Sequence, residues 1–129
     1  MALPIEDYAL LGDLGTAALV ARDGSIDWLC LPRFDSPACF AALLGSPENG
    51  RWLLGPAEPA KTTRRYLGDS FVLETTHETT TGEVRITDFM PIGDGRADLV
   101  RRIDGVRGTK AYSAGATLAT PLGSRGGKV

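Results

Sequence analysis

The chain is poor in the residues that carry metal and nucleophilic chemistry. It has one histidine, His77, and two cysteines, Cys30 and Cys39. No second Cys/His pair supplies ligand spacing, so a zinc centre of the usual kind is excluded, and no metal or cofactor is expected. An excess of either charge is also missing. Fourteen Lys and Arg against sixteen Asp and Glu leave a net charge of -2. Phosphate-backbone binding needs clustered basic residues, so this balance argues against a nucleic-acid partner. The densest basic spots, Arg64-Arg65 and Arg101-Arg102, read as solvated strand faces. No apolar run approaches the ~18 residues of a membrane-spanning helix. The opening segment MALPIEDYALLGD has no basic start and no long apolar core, so it does not read as a signal peptide. The expectation is a cytoplasmic protein with no membrane partner.

Turn residues are abundant. Sixteen glycines and eight prolines in 129 residues favour an all-β domain over a helical bundle. Tyr8 to Leu11 reads as an edge strand, and Thr16 to Ala21 pairs with Ile26 to Leu31 across Asp23-Gly24, a strong hairpin signal. Ala38 to Leu44 reads as a short helix stopped by Gly45. Asn49-Gly50 marks another turn, before Arg51 to Leu54. Lys61 to Leu67, Phe71 to Glu78, Glu83 to Met90 and Leu99 to Val106 read as further strands. In the second of these, Phe71, Leu73 and Thr75 alternate with Val72, Glu74 and Thr76; in the third, Val84 and Ile86 alternate with Arg85 and Thr87. That period of two gives one buried and one wet face. The expected fold is an antiparallel β-sandwich with one short helix, spanning residues 1–108. Residues 109–129 form a divergent tail. Ala111 to Leu122 is long enough for a strand, and Gly123 to Val129 reads as flexible. A sandwich lacking strands would expose an unpaired edge.

Candidate binding residues gather after the first hairpin. Trp28, Arg33, Phe34 and Asp35 combine an aromatic face for a sugar ring with groups that hydrogen-bond hydroxyls. Three of them have a structural alternative. Trp28 also fits a core position, and Arg33 with Asp35 also fits an ion pair or Asx bond that holds the Pro32–Pro37 loop. Cys30 reads as a buried small hydrophobe, and its pairing with Cys39 is left open. His77 reads as a partly exposed sheet residue. Glycosidases work with two carboxylates flanking the scissile bond. Asp27, Asp35, Glu74 and Asp88 are candidates by residue type alone, and they read as surface or turn carboxylates.

The segments PIEDYALLGD (Pro4 to Asp13) and TAALVARDGSIDWLCLPRFDSPACFAALLG (Thr16 to Gly45) also carry a family resemblance. They resemble the N-terminal domain of bacterial glucoamylase- and trehalase-like enzymes of glycoside hydrolase family fifteen. GRWLL, RRYL, FVLETT, VRITDFMP and LVRRIDGVRG continue the likeness in order through Gly108. The resemblance implies a β-sandwich that precedes a helical catalytic barrel. It further implies hydrolysis of α-glucosidic bonds with inversion by glutamates of that barrel, which this sequence does not contain. No catalytic residue is therefore assigned here, and the implied partner is the barrel or a separate subunit carrying it. In that setting the Arg33–Asp35 loop would pack near the barrel's open end. A second reading is a stand-alone carbohydrate-binding module for glucose oligosaccharides, with Phe34, Asp35 and an exposed Trp52 as its tools. A third is a truncated fragment without function of its own.

Overall fold

The computed structural model describes residues 4–44, 49–56, 59–92 and 97–108, and the backbone of 112–117. The first sheet contains β1 (Tyr8–Gly12), β2 (Ala17–Ala21), β3 (Ser25–Cys30), β4 (Ala38–Phe40) and β5 (Arg51–Pro56). The second contains β6 (Lys61–Tyr66), β7 (Leu73–Glu78), β8 (Gly82–Phe89) and β9 (Val100–Gly108), and β10 (Tyr112–Thr117) returns to the first sheet beside β5. The first sheet runs β1-β2-β3-β5-β10, and the second is a plain β6-β7-β8-β9 meander. Every pairing is antiparallel. β3 has two partners on its far side. β5 takes Ser25 and Ile26, and β4 takes Leu29 and Cys30.

The core lies between the sheets. Leu11, Val20, Ile26, Leu29 and Phe40 come from the first sheet, and Leu73 comes from the second, with Met90 just beyond β8. The alternation in β8 is complete: Gly82, Val84, Ile86 and Asp88 are buried while Glu83, Arg85, Thr87 and Phe89 are half-buried. The expected all-β sandwich is therefore the observed fold.

The β2–β3 hairpin forms at Asp23-Gly24 as the dipeptide suggests. Gly24 takes φ +94°, and its amide donates to Ala21 O at 3.0 Å. A Cβ there would fall 2.1 Å from Leu54 O, so the turn needs glycine for close approach to β5 as well as for its φ. The β1–β2 turn is held differently. Asp13 Oδ1 accepts from the amides of Gly15 (2.9 Å) and Thr16 (2.8 Å), an Asx arrangement that leaves Leu14 exposed at φ 76°.

Four expectations are corrected. Ala38 to Leu44 is not a helix: Ala38–Phe40 pairs with the open half of β3, and only Ala42–Leu44 coils, as one 3-10 turn. Seven residues cannot offset helix nucleation, whereas strand pairing buries Phe40 completely. Phe71 leaves the buried phase, because the Leu67–Val72 turn closes through Leu67 N to Val72 O (2.9 Å) and β7 starts only at Leu73. His77 is fully buried rather than partly exposed, since it stays in phase with Leu73 and Thr75. Arg101 is not on a solvated face: its side chain is 1% exposed, whereas that of Arg102 is 70% exposed. Within the segment read as a tail, Tyr112–Thr117 is strand, in register with Pro56 back to Arg51. Gly45, Pro47, Glu48 and Gly123 to Val129 lie outside the described residues.

Candidate functional site

The Pro32–Pro37 loop leaves the end of β3 beside the β1–β2 turn, where Phe34 N donates to Gly15 O at 3.1 Å. Arg33 and Asp35 face each other within the loop. Arg33 Nε donates to Asp35 Oδ1 at 3.0 Å and Nη2 to Oδ2 at 2.7 Å, a bidentate pair with both side chains about two-thirds exposed or more (70% and 69%). Ser36 closes the turn, accepting at Oγ from Arg33 N (3.1 Å) and donating from its amide to Arg33 O (3.0 Å). An ion pair this exposed contributes only about 0–1 kcal/mol. Its effect is to hold Phe34, 63% exposed, outward at the tip. Leu14 is also exposed, on the turn that the loop touches. The loop thus offers a fixed apolar tip inside a charged frame.

Trp28 does not join that cluster in the loop. It is half-buried on β3, paired in register with Leu19. Trp52 is not an exposed platform either. It packs against the core, and the Arg101 guanidinium lies 5.4 Å from its ring centroid.

The four carboxylate candidates separate. Asp35 is exposed in the loop. Glu74 is tied to Arg65 at 2.9 Å and lies 3.7 Å from Arg85. Asp27 is buried at the β-bulge in the β2–β3 pairing, where it accepts from Tyr8 Oη (2.6 Å) and Ser25 Oγ (2.5 Å). Asp88 is buried opposite Arg101, its register partner on β9. Asp27 and Asp88 therefore correct the surface reading. Arg101 Nε donates to Asp88 Oδ1 at 2.8 Å, Nη1 to Trp52 O at 2.9 Å, and Nη2 to Gly24 O at 2.7 Å. Burial pushes the Asp88 carboxyl above its ordinary value, against the opposing charge and hydrogen bonding of Arg101. Such a carboxylate is committed to holding Arg101, whose other nitrogens reach the first sheet. Both cysteines are buried free thiols. Among the described residues no cluster of His, Cys, Asp and Glu could hold a metal ion, and no helix is long and apolar enough to cross a membrane.

Sequence reasoning missed a cleft of about 260 Å³ between the edges of the two sheets, lined by Tyr8, Arg22, Arg64, Arg65 and Tyr66 above Leu73. RRY at 64–66 was a visible signal. Its meeting with Tyr8 and Arg22 depends on how the sheets stack.

Fold and site together define a class: an antiparallel β-sandwich domain whose buried charges are structural and whose polar–aromatic loop faces outward. Within that class the chain belongs to the trehalase-like N-terminal family, whose profile matches residues 1–114. It is 42% identical over 100 residues to a trehalase of Mycobacterium tuberculosis, covering 77% of this chain and 14% of that protein. It is 43% identical over 91 residues to a trehalase of Mycolicibacterium smegmatis, covering 70% of this chain and 14% of the relative. A protein named trehalase 2 from Sulfolobus acidocaldarius is 36% identical over 86 residues, covering 67% of this chain and 14% of the relative. The chain thus spans about one-seventh of these relatives' length (14%). No solved structure matches it.

Proposed function

We propose that this chain is the non-catalytic N-terminal domain of a trehalase-like glycoside hydrolase of the glucoamylase-related kind, acting in carbohydrate metabolism. The observation that carries this reading is the match of residues 1–114 to the trehalase-like N-terminal family, together with about 40% identity to proteins named trehalase (42% and 43% in the mycobacterial pair). The carboxylate geometry supports it, because the two buried acids, Asp27 and Asp88, are both occupied by structural partners. In this reading the whole enzyme hydrolyses the α-glucosidic bond of trehalose in a catalytic barrel, and the Phe34 loop packs against that barrel. Cys30 and Cys39, both free, suit a reducing cytoplasmic location.

Two assays test the proposal. The purified chain should release no glucose from trehalose, maltose or starch. A chimaera in which residues 1–114 replace the matching segment of the Mycolicibacterium smegmatis relative should hydrolyse trehalose. Turnover by the chain alone, abolished by substituting one of its own carboxylates, overturns the assignment. So does a folded chimaera without activity.

A further inference from the structure

The second sheet ends at β9, and among the described residues no strand pairs with its free side. Ile103 lies in the core-facing phase of Arg101, and its register partner Ile86 is 1% exposed. Ile103 itself is 48% exposed, so the core ends between β8 and this part of β9. Val106 is exposed as well. It is the extra residue of a bulge, since Gly105 faces Val84 and Arg107 faces Glu83. The regular part of the edge is therefore residues 100–105.

Charges on an edge ordinarily resist pairing. On the core side that charge is already met, because Arg101 is held by Asp88. On the outer side stand Arg102 and Asp104. Arg102 has Thr87, not an acid, as its register partner, and its guanidinium turns along its own strand to Asp104, with Nε donating to Oδ1 at 3.2 Å. Both side chains stay accessible, at 70% and 40%.

These two charges select a partner. When two copies of one strand pair antiparallel about a two-fold axis, a residue must face its own counterpart at the axis. Any other placing sets side chains of different faces opposite each other. An axis at Ile103 puts Ile103 against Ile103, Arg102 against Asp104 in both directions, and Arg101 against Gly105. Gly105 has open space around it and brings no side chain against the buried Arg101 pair. An axis at Arg102 or at Asp104 puts like charges together. Within β9 no axis except that at Ile103 sets opposite charges across from each other. The charges that repel a general strand thus match a second copy at one register.

We propose that two copies of this chain join through β9 in that register, making one continuous sheet from their two four-stranded ones. Sedimentation velocity of the 129-residue chain over a concentration series should show a monomer–dimer equilibrium. Arg102→Asp sets acid against acid across the axis, and Asp104→Arg sets base against base. Each alone should weaken dimerisation at least about tenfold. An equimolar mixture of the two variants should restore it, because each then meets opposite charge at both positions. Loss of the Arg102–Asp104 bond within one chain could not be rescued in this way. Hydrogen exchange of the wild-type chain needs no variant: β9 amides should slow as concentration rises. A chain that is monomeric at every concentration overturns the proposal; if its β9 amides are protected throughout, another segment of the same chain covers the edge. A mixture of folded variants that stays monomeric, or a dimer that persists in both single variants, overturns it equally.

Discussion

Two glycines at positive φ, one in the β2–β3 turn and one in the β6–β7 turn, differ in what surrounds them. Gly24 combines φ +94° with a backbone approach that leaves no room for a Cβ, whereas Gly68 has φ +59° and open space, with nothing within 4 Å of where a Cβ would stand. Gly68→Ala should therefore cost about 1 kcal/mol from the left-handed backbone alone. Gly24→Ala should cost at least about 2 kcal/mol, because strain and clash add. Urea unfolding of both variants checks this, and equal losses would show that the contact with Leu54 relaxes freely. Arg101→Met leaves Asp88 buried and unpaired, and should cost about 3–5 kcal/mol by the same measurement. Asp88 also makes stability depend on pH. In the unfolded chain its carboxyl titrates near about 3.9; in the fold burial holds it higher. The folded state binds that proton more tightly, so wild type gains most over Asp88→Asn below the unfolded value. That advantage declines as pH rises through the folded value and then levels off. Urea midpoints of the two proteins from about pH 3 to about pH 8 give the slope, and the opposite sign would mean that the Arg101 charge outweighs burial. The buried pair was partly legible in the sequence. Asp88 falls in phase with Val84 and Ile86, and Arg101 falls in phase with Leu99 and Ile103. Their direct apposition needed the register of β8 and β9.

At the level of elements, the strands whose side chains alternate were legible, and so was the hairpin whose turn has its own chemistry. β7, β8 and the Asp23-Gly24 turn are of this kind. Alternation extended two residues past Thr75 would have buried His77 as well. The segment Ala38 to Leu44 was not legible, because a short apolar run takes its form from the edge it meets, here the free half of β3. The same holds for the cleft, whose walls come from strands of different sheets. Edges decide a further property. β1 ends the first sheet, and Tyr66 from β6 covers it, accepting from Leu10 N and donating to Leu10 O, both at 2.9 Å. Tyr66→Phe removes both bonds and should cost about 1–2 kcal/mol, with faster hydrogen exchange at the Leu10 amide. Unchanged exchange there would show that the hydroxyl protects nothing. β9 is the opposite case. It ends the second sheet with Ile103 and Val106 exposed, at 48% and 44%. An apolar edge of this length favours strand-to-strand association. Ile103→Lys should therefore lower self-association in sedimentation velocity without loss of folding, and an unchanged profile would clear β9 of that role.

For the whole molecule, the question is whether the two sheets behave as one unit. The sheets share a core, and three polar side chains of the second reach the backbone of the first. Arg101 holds Gly24 O and Trp52 O, Arg64 holds Val20 O, and Tyr66 holds Leu10. Each bond has its full value only while both sheets are in place, so opening either sheet gives up the shared core and the part-buried Arg101 and Arg64 bonds together. Unfolding should then be a single transition. The residues supply separate probes. Trp28 and Trp52 both lie in the first sheet, so fluorescence reports that sheet, while far-UV circular dichroism reports both. Cys30 and Cys39 are buried in the first sheet, and burial raises both thiols above their ordinary values, the Cys30 thiol further through the nearby Cys39. Native protein at mildly alkaline pH should therefore present little thiolate and little access, and it should label slowly with a thiol reagent. Labelling should accelerate only as the molecule opens, with a denaturant dependence that follows the global transition. Coincident fluorescence and dichroism midpoints, with both thiols protected below them, are expected. Early loss of the tryptophan signal, or rapid labelling of either cysteine under native conditions, would mean that the first sheet opens alone and that the cross-sheet bonds do not couple the halves.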